Sequence, residues 1–335
     1  MKRVVTFGEV MLRLSPPDYS RLLQTRTLDM TFGGAELNVA VSLARLGVPS
    51  AFVTKLPEND VAEVCITEIR GLGVSTAQIR RGGERVGVYY VERGAAQRGS
   101  TVIYDRKNSA IADADPSEWD WRSILGGATV LHVTGITPAL SENCRVSMHD
   151  ALTIAKEVGV ATFLDLNYRR KLWGTKEAGR VLAELLALAS YGVVSDHDAE
   201  TLFDIRSKKT DPEKKQAEVA EKLTKRFGLT GVAMTRRVQH SASRNGWGGM
   251  FYLDGTAHVS RQYDIDYIVD RVGGGDAFTA GIIFGVVNGK KPQETVEFAA
   301  AASCLKHSIA GDYNLVSVAE VEALVSGDGS GRVQR

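Results

Sequence analysis

Short apolar, β-branched runs recur along the chain, and between most of them the apolar positions switch to helical spacing. VVTFG (4–8), SAFVTK (50–55), VLHVTG (130–135), ATFLDL (161–166), YGVVS (191–195) and GVAMT (231–235) are apolar enough to be buried on both faces. That is the pattern of strands inside a parallel sheet. In GGAELNVAVSLARLG (33–47), Leu37, Ala40, Val41 and Ala44 fall at i, i+3, i+4 and i+7, and Gly47 can end the helix in a left-handed conformation. EKKQAEVAEKLTKRFG (213–228) follows the same logic and also ends in Gly. The alternation predicts an α/β fold in three layers, with a mostly parallel central sheet covered on both faces.

Two segments break this rhythm. Residues 10–33 hold MLRLS, then a Pro-Pro pair, then TLDMTFGG; residues 86–106 read VGVYYVERGAAQRGSTVIYDR. Each is two strand-like runs with no helix between them, and the second has a Gly-containing loop. They predict a small β-sheet lid built from two separated pieces of chain. The single domain is expected to span 1–325, and the Gly-rich stretch 326–335 is expected to be loosely ordered.

Composition narrows the classes. The 335 residues are 44% hydrophobic, ample for one large core, and the formal charge of +1 supplies no basic field for nucleic acid. No apolar run is long enough to span a bilayer, and the chain enters KRVVTFGE with no signal-peptide pattern, so a soluble cytoplasmic protein is expected. Cys65, Cys144 and Cys304 are far apart and the six histidines are scattered, which argues against a structural zinc or a thiol nucleophile.

The chemistry gathers in two glycine motifs. In DRVGGGDAF (270–278), Gly273, Gly274 and Gly275 precede an apolar helical run. The first N–H groups of a helix lack internal partners, and bare glycine backbone lets a phosphate approach them. Asp276, beside such an anion hole, could deprotonate a hydroxyl, and the helix end favours its carboxylate form. A Walker A spacing is absent, and a dinucleotide fingerprint would need glycine where Phe278 stands. The second motif, FGGAELNVA (32–40), places Gly33 and Gly34 before a helix and Asn38 one turn in. An amide both donates and accepts, which suits a hydroxyl-rich sugar.

These motifs together resemble the two signatures of the ribokinase-like, PfkB-type carbohydrate kinases, and the resemblance runs from Val4 to about residue 324. It implies ATP-dependent phosphorylation of a primary hydroxyl, with Asp276 as base and Gly273 to Gly275 as anion hole. It also implies Mg2+ and leaves a monovalent cation open. Within that family the chain is most similar to the 2-keto-3-deoxygluconate kinases, through MLRLSPP (11–17), VYY (88–90), VIYDRKNSAI (102–111), GITPAL (135–140) and DLNYRRKLW (165–173). That likeness implies phosphorylation of the terminal 6-hydroxyl of 2-keto-3-deoxygluconate. Tyr104 and Arg106 on the lid, with Arg169, would reach the substrate, and guanidinium matches a carboxylate. Strand alternation lets one of Tyr89 and Tyr90 face inward, and the likeness favours Tyr89. Fructokinases carry similar arginines, so a neutral-sugar kinase is the alternative; a non-catalytic sugar sensor on the same fold is a third reading, against which the retained Asp276 argues.

Four places depart from the family pattern. Gly273, Gly274, Gly275 and Asp276 stand where Gly-Ala-Gly-Asp is usual, a small change expected to leave function intact. SDHDAE (195–200) stands where Asn-x-x-Glu is usual, so Ser195 and Asp198 take the ATP and metal positions, with Glu200 as rival. TRRVQHSASRNGW (235–247) replaces a glycine-containing turn, leaving Thr235 and Arg236 to face ATP. Glu9 ends the first strand where an Asp is common. A homo-oligomer is expected from the free edge of the lid sheet.

Overall fold

In a computed structural model of the chain, residues 2–327 are described. Most of the Gly-rich tail, from residue 328, therefore lies outside the described residues. Fourteen strands form among them: β1 (Arg3–Phe7), β2 (Met11–Ser15), β3 (Asp29–Gly33), β4 (Ser50–Leu56), β5 (Ile79–Arg81), β6 (Gly87–Glu92), β7 (Thr101–Asp105), β8 (Ala128–Thr134), β9 (Ala161–Asp165), β10 (Tyr191–Val193), β11 (Gly231–Gln239), β12 (Asn245–Leu253), β13 (Thr256–Val259) and β14 (Tyr263–Ile265).

The large sheet runs in the order β13-β12-β11-β10-β9-β8-β1-β4-β5, with β14 also paired to β12. From β5 to β11 every pairing is parallel. All six runs read as buried strands lie in this part. Alternation along each strand feeds two cores. Val4, Val130 and Phe163 point to one face, and Val5, Leu131 and Leu164 to the other. Helices bury their apolar stripes against both faces, which gives the three-layer α/β architecture.

The antiparallel extension β12–β14 was not legible in the sequence. Strand β11 continues through Arg236, Arg237, Val238 and Gln239 and returns as β12, fully paired from Gly231↔Leu253 to Gln239↔Asn245. The pattern is obscured because β12 is rich in glycine: Gly249, for example, lies where a Cβ would meet the Phe278 ring at 2.2 Å.

The second sheet has the order β3-β2-β6-β7. Its two pieces join through the parallel pair β2–β6, with Arg13 opposite Tyr89. This is the expected two-piece lid. Parallel strands end on one side of the large sheet, and the segments after β1, β8, β9 and β10 there form a crevice that the lid covers.

Candidate active site

Thirteen of the residues singled out in the sequence line one cavity of about 420 Å³: Gly33, Gly34, Asn38, Tyr89, Tyr104, Arg106, Arg169, Ser195, Asp198, Thr235, Gly273, Gly275 and Asp276. Gly274 and Arg236 do not. Arg236 lies on the opposite face of β11 from Thr235 and pairs with Glu213 at 2.9 Å. Its neighbour Arg237 shares the face of Thr235, lines the cavity and sits 4.9 Å from the Trp247 ring centroid. The expectation that Arg236 faces the ligand is thus corrected by the two-residue period of the strand. Glu200 is exposed and turned towards Arg206, so Asp198 is the carboxylate of that helix in the cavity.

The three glycines before Asp276 do three different things. Gly273 caps the helix Gly274–Val287 with φ of +83°, and a Cβ there would lie 2.0 Å from the Asp312 carbonyl oxygen. Gly274 backs onto His307, where a Cβ would come within 2.7 Å of the imidazole. Gly275 lines the cavity and would meet nothing within 4 Å. So the first two glycines permit close packing, and the third leaves the approach to the helix N-terminus open.

Asp276 accepts a hydrogen bond from Asn38 Nδ2 at 2.7 Å. Its carboxyl is pushed up to about 6, chiefly by burial; Asn38, Arg169 and Lys306 pull the other way, and Asp312 adds repulsion. The helix terminus was expected to lower its basicity. Burial wins instead, and a base poised near neutral pH results.

At the lid end, Tyr89 is buried and donates from its hydroxyl to Asp312 Oδ2 at 2.6 Å, while Tyr90 is turned away from the cavity. Tyr104 stacks on Tyr89 with ring centroids 6.1 Å apart. Arg106 is buried and already paired, donating from Nε to Glu9 Oε2 at 2.7 Å. Glu9 therefore points into the site. Arg169 is exposed and, among the described residues, has no carboxylate in ion-pair contact. The two arginines that looked equivalent in the sequence are electrostatically different.

Several cavity residues carried no signal that sequence reasoning used. Asp165 ends β9, accepts from the Asn167 amide at 3.1 Å, and is pushed up to about 8 by burial and by Asp276 and Asp198. It stands inside DLNYRRKLW, and the polar residue ending a buried strand was the available cue. Glu36 is buried, accepts from Thr134 and Thr137 at 2.7 and 2.8 Å, and is pushed up to about 7 by burial. Asp312 is held by Arg13 at 2.6 Å, and the same guanidinium bonds Asp270 at 2.5 Å. Only folding brings these three together, so no local spacing could have revealed them.

A cavity with an aspartate at a bare helix N-terminus, cations at one end and tyrosines under a lid can hold a polar acceptor and an anionic phosphoryl donor. The model of the family described as pfkB family carbohydrate kinase matches residues 1–317. The chain belongs to that family. It is 33% identical to a 2-dehydro-3-deoxygalactonokinase of Haloferax volcanii, with 98% of each chain covered. It is 27% identical to a 2-dehydro-3-deoxygluconokinase of Bacillus subtilis over 92% of this chain and 90% of that one. Among solved structures, 2-dehydro-3-deoxygluconokinase of Thermotoga maritima superimposes with a TM-score of 0.95 at 44% identity, covering 98% of this chain and all of the other. This pfkB kinase thus has the ribokinase-like fold and is a carbohydrate kinase. No helix among its described residues is long and apolar enough to cross a membrane.

Proposed function

We propose that this kinase transfers the γ-phosphoryl group of ATP to the 6-hydroxyl of 2-keto-3-deoxygluconate, giving 2-keto-3-deoxy-6-phosphogluconate. The observation that carries the reading is Arg169, a guanidinium lining the same cavity as Asp276 that, among the described residues, has no carboxylate in ion-pair contact. An unpaired cation in a partly enclosed site favours an anionic sugar, and a carboxylate can take two of its N–H groups. Glu9 already balances the charge of Arg106, so Arg106 is left to offer hydrogen bonds rather than net charge. The 33% identity to a 2-dehydro-3-deoxygalactonokinase supports the epimeric acid as a second reading.

In this reading Asp276 takes the proton of the acceptor hydroxyl as the oxygen attacks phosphorus and the bond to the departing ADP oxygen breaks. Asn38 holds the carboxylate in place. The N-terminal amides of the helix Gly274–Val287 receive the charge on the transferring group, and Gly275 keeps their approach open. Arg237 and Thr235 line the cavity wall on the strand side and suit the phosphate chain. Tyr89 and Tyr104 cover the sugar and exclude water.

Magnesium fits the donor set in a limited way. Among the described residues no group of three or more His, Cys, Asp or Glu side chains is arranged to hold a metal. Magnesium on a nucleotide needs only one or two carboxylates and keeps several waters. Asp198 and Asp165 both line the cavity, and burial, then repulsion from Asp276 and Asp198, raises Asp165, so a cation there would favour its charged form. When bound, the metal would neutralise charge on the phosphates.

The deciding experiment is a coupled ADP-release assay with Mg-ATP, run on 2-keto-3-deoxygluconate, 2-keto-3-deoxygalactonate, fructose and ribose. kcat/KM is expected to be highest for the keto-deoxy acids, with the gluconate first. A preference for fructose or ribose would remove the carboxylate role of Arg169.

A further inference from the structure

Lys306 takes no part in the chemistry above and does not line the cavity. It ends the helix Pro292–Lys306, and its side chain is completely buried. A buried ammonium is costly unless a carboxylate pairs with it. Among the described residues none is in ion-pair contact with it, and Nζ donates to the Ile309 carbonyl at 3.0 Å. The two nearby carboxylates, Asp270 and Asp312, are taken by Arg13. A group this expensive, with no ion pair, is poorly explained as a stabilising contact.

Its position explains it better. A Cβ on Gly273 would lie 3.2 Å from the Lys306 Cε, so the lysine stem packs directly against the glycine loop. The same helix end is tied to that loop twice more. Ser303 Oγ donates to the Gly274 carbonyl at 2.5 Å, and the His307 carbonyl accepts from the Val269 amide at 2.8 Å. Burial draws the Lys306 ammonium below the ordinary lysine range, while Asp270, Asp312 and Asp276 draw it back.

We propose that Lys306 is a positioning residue of phosphoryl transfer: its ammonium fixes the turn before Asp312 through the Ile309 carbonyl and supplies a positive charge behind Gly273 and Asp276. That charge holds Asp276 as carboxylate and favours negative charge arriving at the loop. The inference rests on the reading of Gly273, Gly274 and Gly275 as an anion loop, but not on which sugar is phosphorylated.

The test is Lys306→Met, which keeps the stem and removes the charge, measured on whichever sugar the unaltered protein turns over fastest. Exchange of an unpaired buried charge for an apolar group is expected to leave the unfolding midpoint unchanged or raised. Turnover is expected to fall roughly 100-fold, the scale of one lost electrostatic stabiliser, with sugar KM near its original value. The groups left around Asp276 are Asn38, Asp312, Asp165 and Arg169, so the acid limb of the kcat profile is expected to move to higher pH. If Lys306→Met fails to fold, Lys306→Ala with added methylammonium takes its place, and restored turnover supports the proposal. Unchanged turnover, loss of activity in step with loss of folded protein and an unmoved acid limb, or no rescue by the amine would overturn it. Failure of the anion-loop reading shows separately, as unchanged turnover and ATP KM in Gly275→Leu, whose side chain would fill the approach to the helix N-terminus.

Discussion

Asn38 and Asp276, from opposite ends of the chain, share a hydrogen bond of 2.7 Å in the floor of the cavity. The amide can only donate through its nitrogen, so it favours the charged carboxylate and holds one oxygen of it. Replacing Asn38 by Leu removes that donor and leaves burial and Asp312 opposed only by Arg169 and Lys306. The acid limb of kcat is expected to move above about 6, the value to which Asp276 is already raised. A pH–rate profile reads this directly: the variant should lose more activity at the acid end than at the alkaline end.

Asp276→Asn removes the base and keeps the shape. Turnover is expected to fall by about 10²–10⁴, the usual worth of a general base. Sugar binding followed by calorimetry should remain, because Gly34, Tyr89 and Arg169 are untouched. In the unaltered enzyme, activity should rise with pH through about 6 as Asp276 loses its proton.

The two arginines are expected to fail differently. Arg169→Leu removes an exposed cation, so stability should change by no more than about 0.5 kcal/mol. Its KM for a sugar acid should rise roughly 10–100-fold, the worth of a charge-assisted contact, and a neutral sugar should be unaffected. Arg106→Leu strands the buried Glu9 carboxylate and should destabilise the fold by about 3–5 kcal/mol. Urea unfolding and steady-state kinetics on the two variants separate these outcomes.

Asp165 makes stability depend on pH. Its folded carboxyl is raised to about 8, whereas in the unfolded chain it titrates near the ordinary aspartate value of about 3.9. Between those values the folded state keeps a proton that the unfolded state has lost, so stability falls as pH rises through the window. Glu36, raised to about 7, acts in the same direction. Asp165→Asn should flatten this slope: between about pH 5 and pH 8 it should lose less stability than the parent, by on the order of 1 kcal/mol or more. Urea midpoints at the two pH values check it.

The parallel half of the sheet, the split lid and the helix starts were legible because each is written in local periodicity. Gly47 and Gly228 end their helices at φ of +78° and +70°, as their positions implied. The cavity lining was legible wherever a residue belonged to a motif, as Asn38 and Asp276 do. Arg236 was misplaced because a strand of charged residues hides its own alternation. Arg13, Asp270, Asp312 and Lys306 could not be grouped in advance: each is an ordinary charged residue until the chain closes, and what distinguishes them is burial. The unequal roles of Arg106 and Arg169 likewise depend on where Glu9 ends up.

The bond from Arg13 to Asp312 spans 299 positions of sequence. A ribosome therefore makes the lid strand well before its counter-charge. Until residue 312 has emerged, Arg13 has no Asp312 to bind, Tyr89 lacks its acceptor, and Gly273 lacks the carbonyl it packs against. Every strand of both sheets precedes residue 312 in the sequence, so the pocket is completed only after all of them have been made. Phosphorylating competence in this sense waits on a residue that follows the whole sheet.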